Sequence, residues 1–353
     1  MRRPRLLAWL GGMPDVETLL PILQRVAERG ALDVDAHLYG KLLRKEPRLA
    51  KATTHPALRL RLSSKLRMRF LWHRDATRAD GIVSIADPVL DRSPTRRRSN
   101  ALSRGGHAVA FVQHGVLQTA VNHLPDMPPP AFAAERLLLW DRPGPPLDPT
   151  DPRCVTIGFP KRPLLDPVTP PPALAAWRAS HRTAILVCHS FRWPGKRFAD
   201  DAVPAFFTML EEVARAAPEI GLILRGHRVK REAVSDALEV ALVQRYPNVL
   251  RCGTGAAAIL TGPIDDAIAV CDAVVGPIST VLLDAAYRNR PTAAFDDDPT
   301  ALQGVGRIRD AADLTAFARD PSDDGSEALR RRFGDMDGNL DRAAGALEDW
   351  LGA

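Results

Sequence analysis

Short apolar runs alternate with amphipathic stretches along almost the whole chain. Leu6–Leu10, Leu32–Leu38, Gly81–Ala86, Ala108–Val112, Arg136–Trp140 and Val155–Ile157 read as strands of the first half. Between the first two, Val16–Arg29 has helical spacing through Leu19, Leu20, Leu23 and Val26. The second half is more regular. Thr183–Cys188, Ile220–Leu224, Val249–Leu250, Ala273–Val275 and Thr292–Phe295 read as strands. The stretches Val203–Ala217, Val229–Arg245, Ile264–Val270 and Val281–Arg288 read as the helices between them. Leu340–Leu351 reads as a last helix, placed to pack back across the domain boundary. Strands alternating with helices predict parallel, doubly wound sheets.

Prolines divide the chain. Residues 125–172 hold 15 of its 31 prolines, and proline excludes regular helix. The boundary is therefore expected near Pro170–Ala173, with domains 1–172 and 173–353. A length of 353 residues suits two such domains.

Charge sharpens this division. Residues 1–172 carry 27 Lys/Arg against 16 Asp/Glu, whereas the whole chain is only +6, so the second half is acidic. Residues 41–74 hold eleven Lys/Arg and one acid, Glu46. There, Leu58, Leu62, Leu66 and Phe70 recur every four residues, which predicts a basic amphipathic helix suited to its own domain or to an anionic membrane surface. Arg96-Arg97-Arg98 is a second basic spot. No groove-reading motif accompanies these charges and stacking aromatics are few, so nucleic acid is not an expected partner. The start carries too short an apolar region for a signal peptide, and Cys154, Cys188, Cys252 and Cys271 are scattered. These features predict reduced thiols, no metal site and a cytoplasmic protein, with peripheral attachment to the inner membrane face through residues 41–74.

Candidate chemistry gathers where strands end. Gly11-Gly12 follows the first strand but does not complete a G-x-G-x-x-G dinucleotide fingerprint. Gln113-His114-Gly115 puts an imidazole at a strand's carboxyl end, where it could remove a proton from a hydroxyl. His189-Ser190-Phe191-Arg192, Arg225-Gly226-His227-Arg228 and Ser279-Thr280 follow three strands of the second half. In a parallel sheet those ends share one edge, where ligands sit. Arginine suits bidentate phosphate contacts, histidine can donate to a leaving phosphate oxygen, and a helix N-terminus offers free N–H groups.

Several of these segments, in this order, resemble the CDP-glycerol glycerophosphotransferases of the teichoic-acid polymerase type. Asp272–Asp284 is similar to that family's D-x-L-I-T-D-Y-S-S-V-x-x-D, and Pro291–Phe295 to the strand after it. Ile185–Arg192 resembles the strand ending in P-T-F-R, and Gly158–Lys161 resembles G-Y-P-R. Leu222–His227 parallels the strand ending in H-P, and Val112–Gly115 parallels W-H-G. The matches span residues 108–296. They depart at Val116-Leu117-Gln118, at Arg228 in place of proline, and at Gly276-Pro277-Ile278 in place of Thr-Asp-Tyr.

The resemblance implies a GT-B fold, two Rossmann-like domains facing a central cleft, and metal-free transfer from a nucleotide-activated donor with no further cofactor. It implies His114 as the base on the acceptor hydroxyl, with Gly115 and Gln118 on the acceptor side. It implies His227 near the donor pyrophosphate, and Ser190, Arg192, Arg225, Ser279, Thr280 and Asp284 around donor phosphate. The expected reaction moves a glycerol-phosphate-like group from a CDP-alcohol to a lipid-linked or polymer hydroxyl at the cell envelope. Other readings of the same residues are a GT-B glycosyltransferase using a CMP-, CDP- or UDP-sugar, a nucleotide-sugar 2-epimerase, and a non-catalytic partner in a membrane complex.

Overall fold

The computed structural model describes residues 2–64, 74–85, 106–118, 121, 132, 134–144, 147–166, 168–191, 198–199, 201–227, 233–253, 258–295 and 302–353. It forms two compact units, Met1–Asp166 with Arg332–Ala353, and Pro167–Arg331.

The first unit is built on β1 (Arg5–Leu10), α1 (Met13–Arg29), β2 (Asp33–Tyr39), α2 (Gly40–Lys45), α3 (Leu49–Thr53), β3 (Arg59–Ser63), β4 (Gly81–Ser84), β5 (Val109–Val112), β6 (Arg136–Leu139) and β7 (Cys154–Thr156). Its strands lie in the order β3-β2-β1-β4-β5-β6-β7, every neighbouring pair parallel. The order reverses between β1 and β4, so the β1 turn at Gly11-Gly12 stands at the switch point of a doubly wound sheet.

The second unit holds α4 (Pro172–Ala179), β8 (Thr183–His189), α5 (Ala202–Ala216), β9 (Ile220–Gly226), α6 (Ala233–Arg245), β10 (Val249–Arg251), α7 (Ile264–Val270), β11 (Ala273–Gly276), α8 (Thr280–Ala286), β12 (Thr292–Ala294), β13 (Gly306–Arg307) and α9 (Ala311–Arg319). Helix α10 (Asp324–Phe333) then leads out of it to α11 (Met336–Leu351). The strand order is β10-β9-β8-β11-β12-β13, again all parallel, with the reversal between β8 and β11. Every residue of β8 and β9 is buried, as befits a sheet covered on both faces. Phe206, Phe207, Leu210 and Val213 of α5 pack on Ile185, Val187, Leu222 and Leu224. Each such side chain contributes roughly 1.5–3 kcal/mol on leaving water.

The unit boundary differs from a single cut near 172. Residues 332–353 return to the first unit, because α11 has its partners there. Asp335 caps α11 by accepting from Gly338 N–H at 2.7 Å, and Arg25 of α1 pairs with Asp337 at 2.6 Å and Asp341 at 3.0 Å. Arg29 pairs with Glu348 at 2.6 Å. A side chain at Gly81 would force α11 side chains aside, since a Cβ there would stand 2.7 Å from Leu351 and 2.8 Å from Trp350.

The basic amphipathic helix expected from Leu58 onward is a correction. Arg59–Ser63 is an edge strand, and the part of that segment at residues 65–73 lies outside the described residues. A spacing of four also satisfies a period of two, and Arg-Leu-Arg-Leu-Ser alternates strictly. The buried end of β3 is tied to β2 by Ser63 Oγ, 3.3 Å from His37 Nδ1, while Arg59 and Arg61 face solvent. Arg96-Arg97-Arg98 also falls outside the described residues. Among the described residues no helix is long and apolar enough to cross a membrane.

Candidate functional site

Parallel pairing assembles the carboxyl edge of the second sheet from residues far apart in sequence. Cys188 of β8 is in register with Arg225 of β9, and Cys252 Sγ, just beyond β10, lies 3.8 Å from Arg225 Nη1. On the other side of the switch point, a Cβ at Gly276 would rest 3.4 Å from Cys188 Cβ, and Gly276 is in register with Ala294. The last paired layer on this face therefore runs Cys252, Arg225, Cys188, Gly276, Ala294. Small side chains form a shallow floor beside one guanidinium. Arg225 is 6% exposed and donates from Nη2 to the Gly262 carbonyl at 3.1 Å. Among the described residues it makes no ion pair with a carboxylate. Burying a cation with no ion pair among the described residues is costly, and an anion at this edge would offset that cost. Burial pushes the neighbouring Cys188 thiol far up, with Arg225 opposing the rise, so the sulfur remains a neutral part of the floor.

One layer further out, His189 is in register with Gly226, and His227 N–H donates to the His189 carbonyl at 3.1 Å. Arg225, His227 and Ser190 thus share the strand ends expected of them. Ser279 is the N-cap of α8 through an extended backbone, and Leu282 N–H donates to its carbonyl at 3.2 Å. Its hydroxyl makes no capping hydrogen bond. Thr280 opens the helix beside it.

Asp284 lies near enough to the floor for its charge to help raise the Cys188 thiol, but its ion pair is elsewhere. It sits a full turn into α8, 4.0 Å from Arg288 Nη1, and Arg288 also pairs with Asp265 of α7. This cluster ties the end of α8 to α7. Asp272, the first residue of the same segment, is at the opposite edge of the sheet. It accepts from Ala184 N–H at 2.7 Å and from Arg178 Nη2 at 2.6 Å, fastening β11 to β8 and α4. Arg192 and Arg228 fall outside the described residues.

In the first unit, His114 follows β5 on a braced turn. Gln113 Nε2 donates to the Gly115 carbonyl at 2.7 Å, and Gln113 Oε1 accepts from Trp140 N–H at 2.8 Å. Gln118 Oε1 accepts from His114 N–H at 3.0 Å. Gln118 is buried and Gly115 gives its carbonyl to the brace, so both support the turn that presents His114. Sequence reasoning passed over Asp15, at the switch point of this sheet. Its carboxylate accepts from Gly12 N–H at 2.7 Å, and burial pushes it up to about 6 from 3.8, against the lowering effect of the Gly12 and Gly11 amides. Pro14-Asp15 opening a helix after a glycine turn was the available signal.

The Gly158–Lys161 segment is a structural junction. Gly158 has φ 80°, and a Cβ there would collide with the Asn339 side-chain oxygen and the Phe333 carbonyl. Asn339 Nδ2 donates to the carbonyls of Phe159 at 2.9 Å and Phe333 at 2.7 Å. Lys161 is buried, 3.7 Å from Glu17 and 5.7 Å from the Trp140 ring.

Among the described residues, no group of three or more His, Cys, Asp or Glu is placed to hold a metal. The sequence matches no family profile and no curated protein. Solved structures do match over nearly the whole chain. The UDP-GlcNAc 2-epimerase of Neisseria meningitidis bound to UDP-GlcNAc superposes with TM-score 0.61 at 10% identity, covering 95% of this chain and 97% of its own. Staphylococcus aureus MnaA with UDP gives 0.59 at 8% identity, over 95% and 94%. The wall teichoic acid polymerase TagF with CDPG gives 0.51 at 12% identity, over 99% and 88%. With two Rossmann-like parallel sheets and these neighbours, the chain has the GT-B fold.

Proposed function

We propose that this chain is an enzyme of nucleotide-activated sugars and that its second unit holds the nucleoside diphosphate at the β8/β11 switch point. The observation that carries this reading is Arg225, a buried guanidinium with no carboxylate partner among the described residues, set beside a floor of small side chains. A diphosphate would supply the missing negative charge, and a short floor admits it close to the backbone. His227 and the Ser279 hydroxyl stand at neighbouring strand ends as further donors. The fold shared with proteins solved with UDP and UDP-GlcNAc supports a uridine nucleotide. The raised carboxyl of Asp15 and the imidazole of His114, at two strand ends of the first sheet, are the candidate proton-transfer groups. The preferred reaction is therefore inversion at C2 of a UDP-linked hexosamine, which needs no second substrate.

Transfer from a CDP-alcohol to a hydroxyl, with His114 as base, is the second reading. The ordered resemblance of residues 108–296 and the fold shared with TagF favour it. The acceptor would be lipid-linked or polymeric. Membrane attachment belongs with it, because Arg59, Arg61 and Leu62 are exposed on β3. Neither reading requires a bound metal or a cofactor beyond the nucleotide.

Incubation with UDP-GlcNAc and with CDP-glycerol separates the two. Appearance of a C2-inverted hexosamine without added acceptor supports the first. Nucleotide release from CDP-glycerol only when a glycerol-phosphate primer is present supports the second. Failure to bind UDP or CDP removes both.

A further inference from the structure

Helix α6 buries a carboxylate. Its inward positions are Ser235, Glu239 and Leu242, and Glu239 is 0% exposed. One carboxylate oxygen, Oε1, lies 2.8 Å from Nε of Arg251 on β10, itself 2% exposed. The other, Oε2, lies 3.1 Å from Nε2 of His189 at the end of β8. Arg251 also pairs with Asp236 one turn earlier on α6. The chain Asp236–Arg251–Glu239–His189 therefore ties α6, β10 and β8 together across β9. Glycine at residue 226 leaves room for it. A Cβ there would stand 3.2 Å from the His189 ring and 3.6 Å from Glu239. Phe206 and Phe207 close the other sides of the imidazole, with ring centroids 6.0 and 5.4 Å away.

We propose that Glu239 is a positioning residue of the candidate nucleotide site: it fixes His189, and through the backbone paired with His189 it sets the strand ends that carry Arg225 and His227. The inference rests on the nucleotide-site reading and names a residue that reading does not use. A carboxylate only accepts, so His189 must carry its proton on Nε2, and the ring cannot turn over without breaking that bond. The His189 carbonyl receives the His227 N–H at 3.1 Å, and Arg225 directly precedes the glycine against which the ring lies. A fully buried ion pair is weak evidence of stabilisation, because desolvation offsets most of the attraction. Its effect here is orientational.

Glu239→Gln tests this. The amide has one oxygen where the carboxylate has two, and Arg251 would take it, leaving an N–H facing His189. In a protein carrying 15N-histidine, long-range proton–nitrogen spectra should show His189 change from the Nε2–H to the Nδ1–H tautomer. UDP affinity should fall about tenfold, as expected when an orienting partner is lost. Glu211→Gln, which loosens α6 only at Arg245 and Tyr246, is the control and should bind UDP as the unaltered protein does. An unchanged His189 tautomer, or UDP affinity within about twofold of the unaltered protein, overturns the proposal. If the unaltered protein binds neither UDP nor CDP, the nucleotide reading falls. The His189 ring and His227 amide signals of Glu239→Gln then still decide whether Glu239 positions these strand ends.

Discussion

Asn339 occupies the volume that any side chain at residue 158 would need, and it bonds the carbonyl of Phe159 at 2.9 Å. The C-terminal helix is thereby locked to the turn after β7, which explains a Gly-Phe-Pro-Lys segment without any ligand. Gly158→Ala must accept φ 80° and displace Asn339, so it should destabilise the protein by about 2–5 kcal/mol. Urea unfolding of the variant checks this, and an unchanged midpoint would refute the lock.

Arg225→Met should fold, since an apolar side chain of similar length replaces a buried charge that has no carboxylate partner among the described residues. Its affinity for UDP or CDP should drop by about ten- to a hundredfold, the worth of one charge-assisted contact. Titration calorimetry measures it. Unaltered affinity would remove Arg225 from the anion site.

His114→Ala should separate chemistry from binding. Turnover of the productive nucleotide substrate should fall by about 10²–10⁴, while UDP affinity holds. Steady-state rates with UDP-GlcNAc and CDP-glycerol decide it, and turnover within a few-fold of the unaltered enzyme would rule out proton transfer by His114.

Asp15 makes stability depend on pH. Its folded-state value of about 6 lies above the ordinary 3.8, so the folded protein holds this proton more tightly than the unfolded chain. The contribution is full below 3.8 and is lost as pH rises through about 6. It amounts to on the order of 2–3 kcal/mol. Asp15→Asn keeps an acceptor for Gly12 N–H and should be the more stable protein at pH 8. The gap should close by pH 3.5, and melting curves across this range would show it. A constant gap would contradict the raised value.

Burial should also protect the thiols. Cys188, Cys252 and Cys271 are buried, and burial raises Cys154 to about 11. Iodoacetamide at neutral pH should label none of them in minutes unless the protein is unfolded. Mass spectrometry reads this directly, and rapid labelling of Cys188 would contradict the closed floor.

Local pattern was sufficient for much of the scaffold. Short apolar runs such as Ile185–Val187 and Leu222–Leu224 read as strands covered on both faces, and the β-α alternation around them points to parallel pairing. The carboxyl ends of parallel strands share an edge, which is why Arg225, His227, Ser190 and Ser279 could be assigned to one edge from the sequence. Tertiary structure decided the rest, because it depends on which distant groups meet. Leu58 to Phe70 satisfies helix and strand periods alike, and only pairing with β2 selected the strand at Arg59–Ser63. Asp272 and Asp284 stand in one segment, yet Arg178 and Arg288 draw them into separate structural roles. Nothing in the helical pattern of Val229–Arg245 marks Glu239, which is buried because Arg251 and His189 meet it from two strands. A sequence carries the period of each element, but the counter-charge that makes a buried group tolerable comes from another part of the chain.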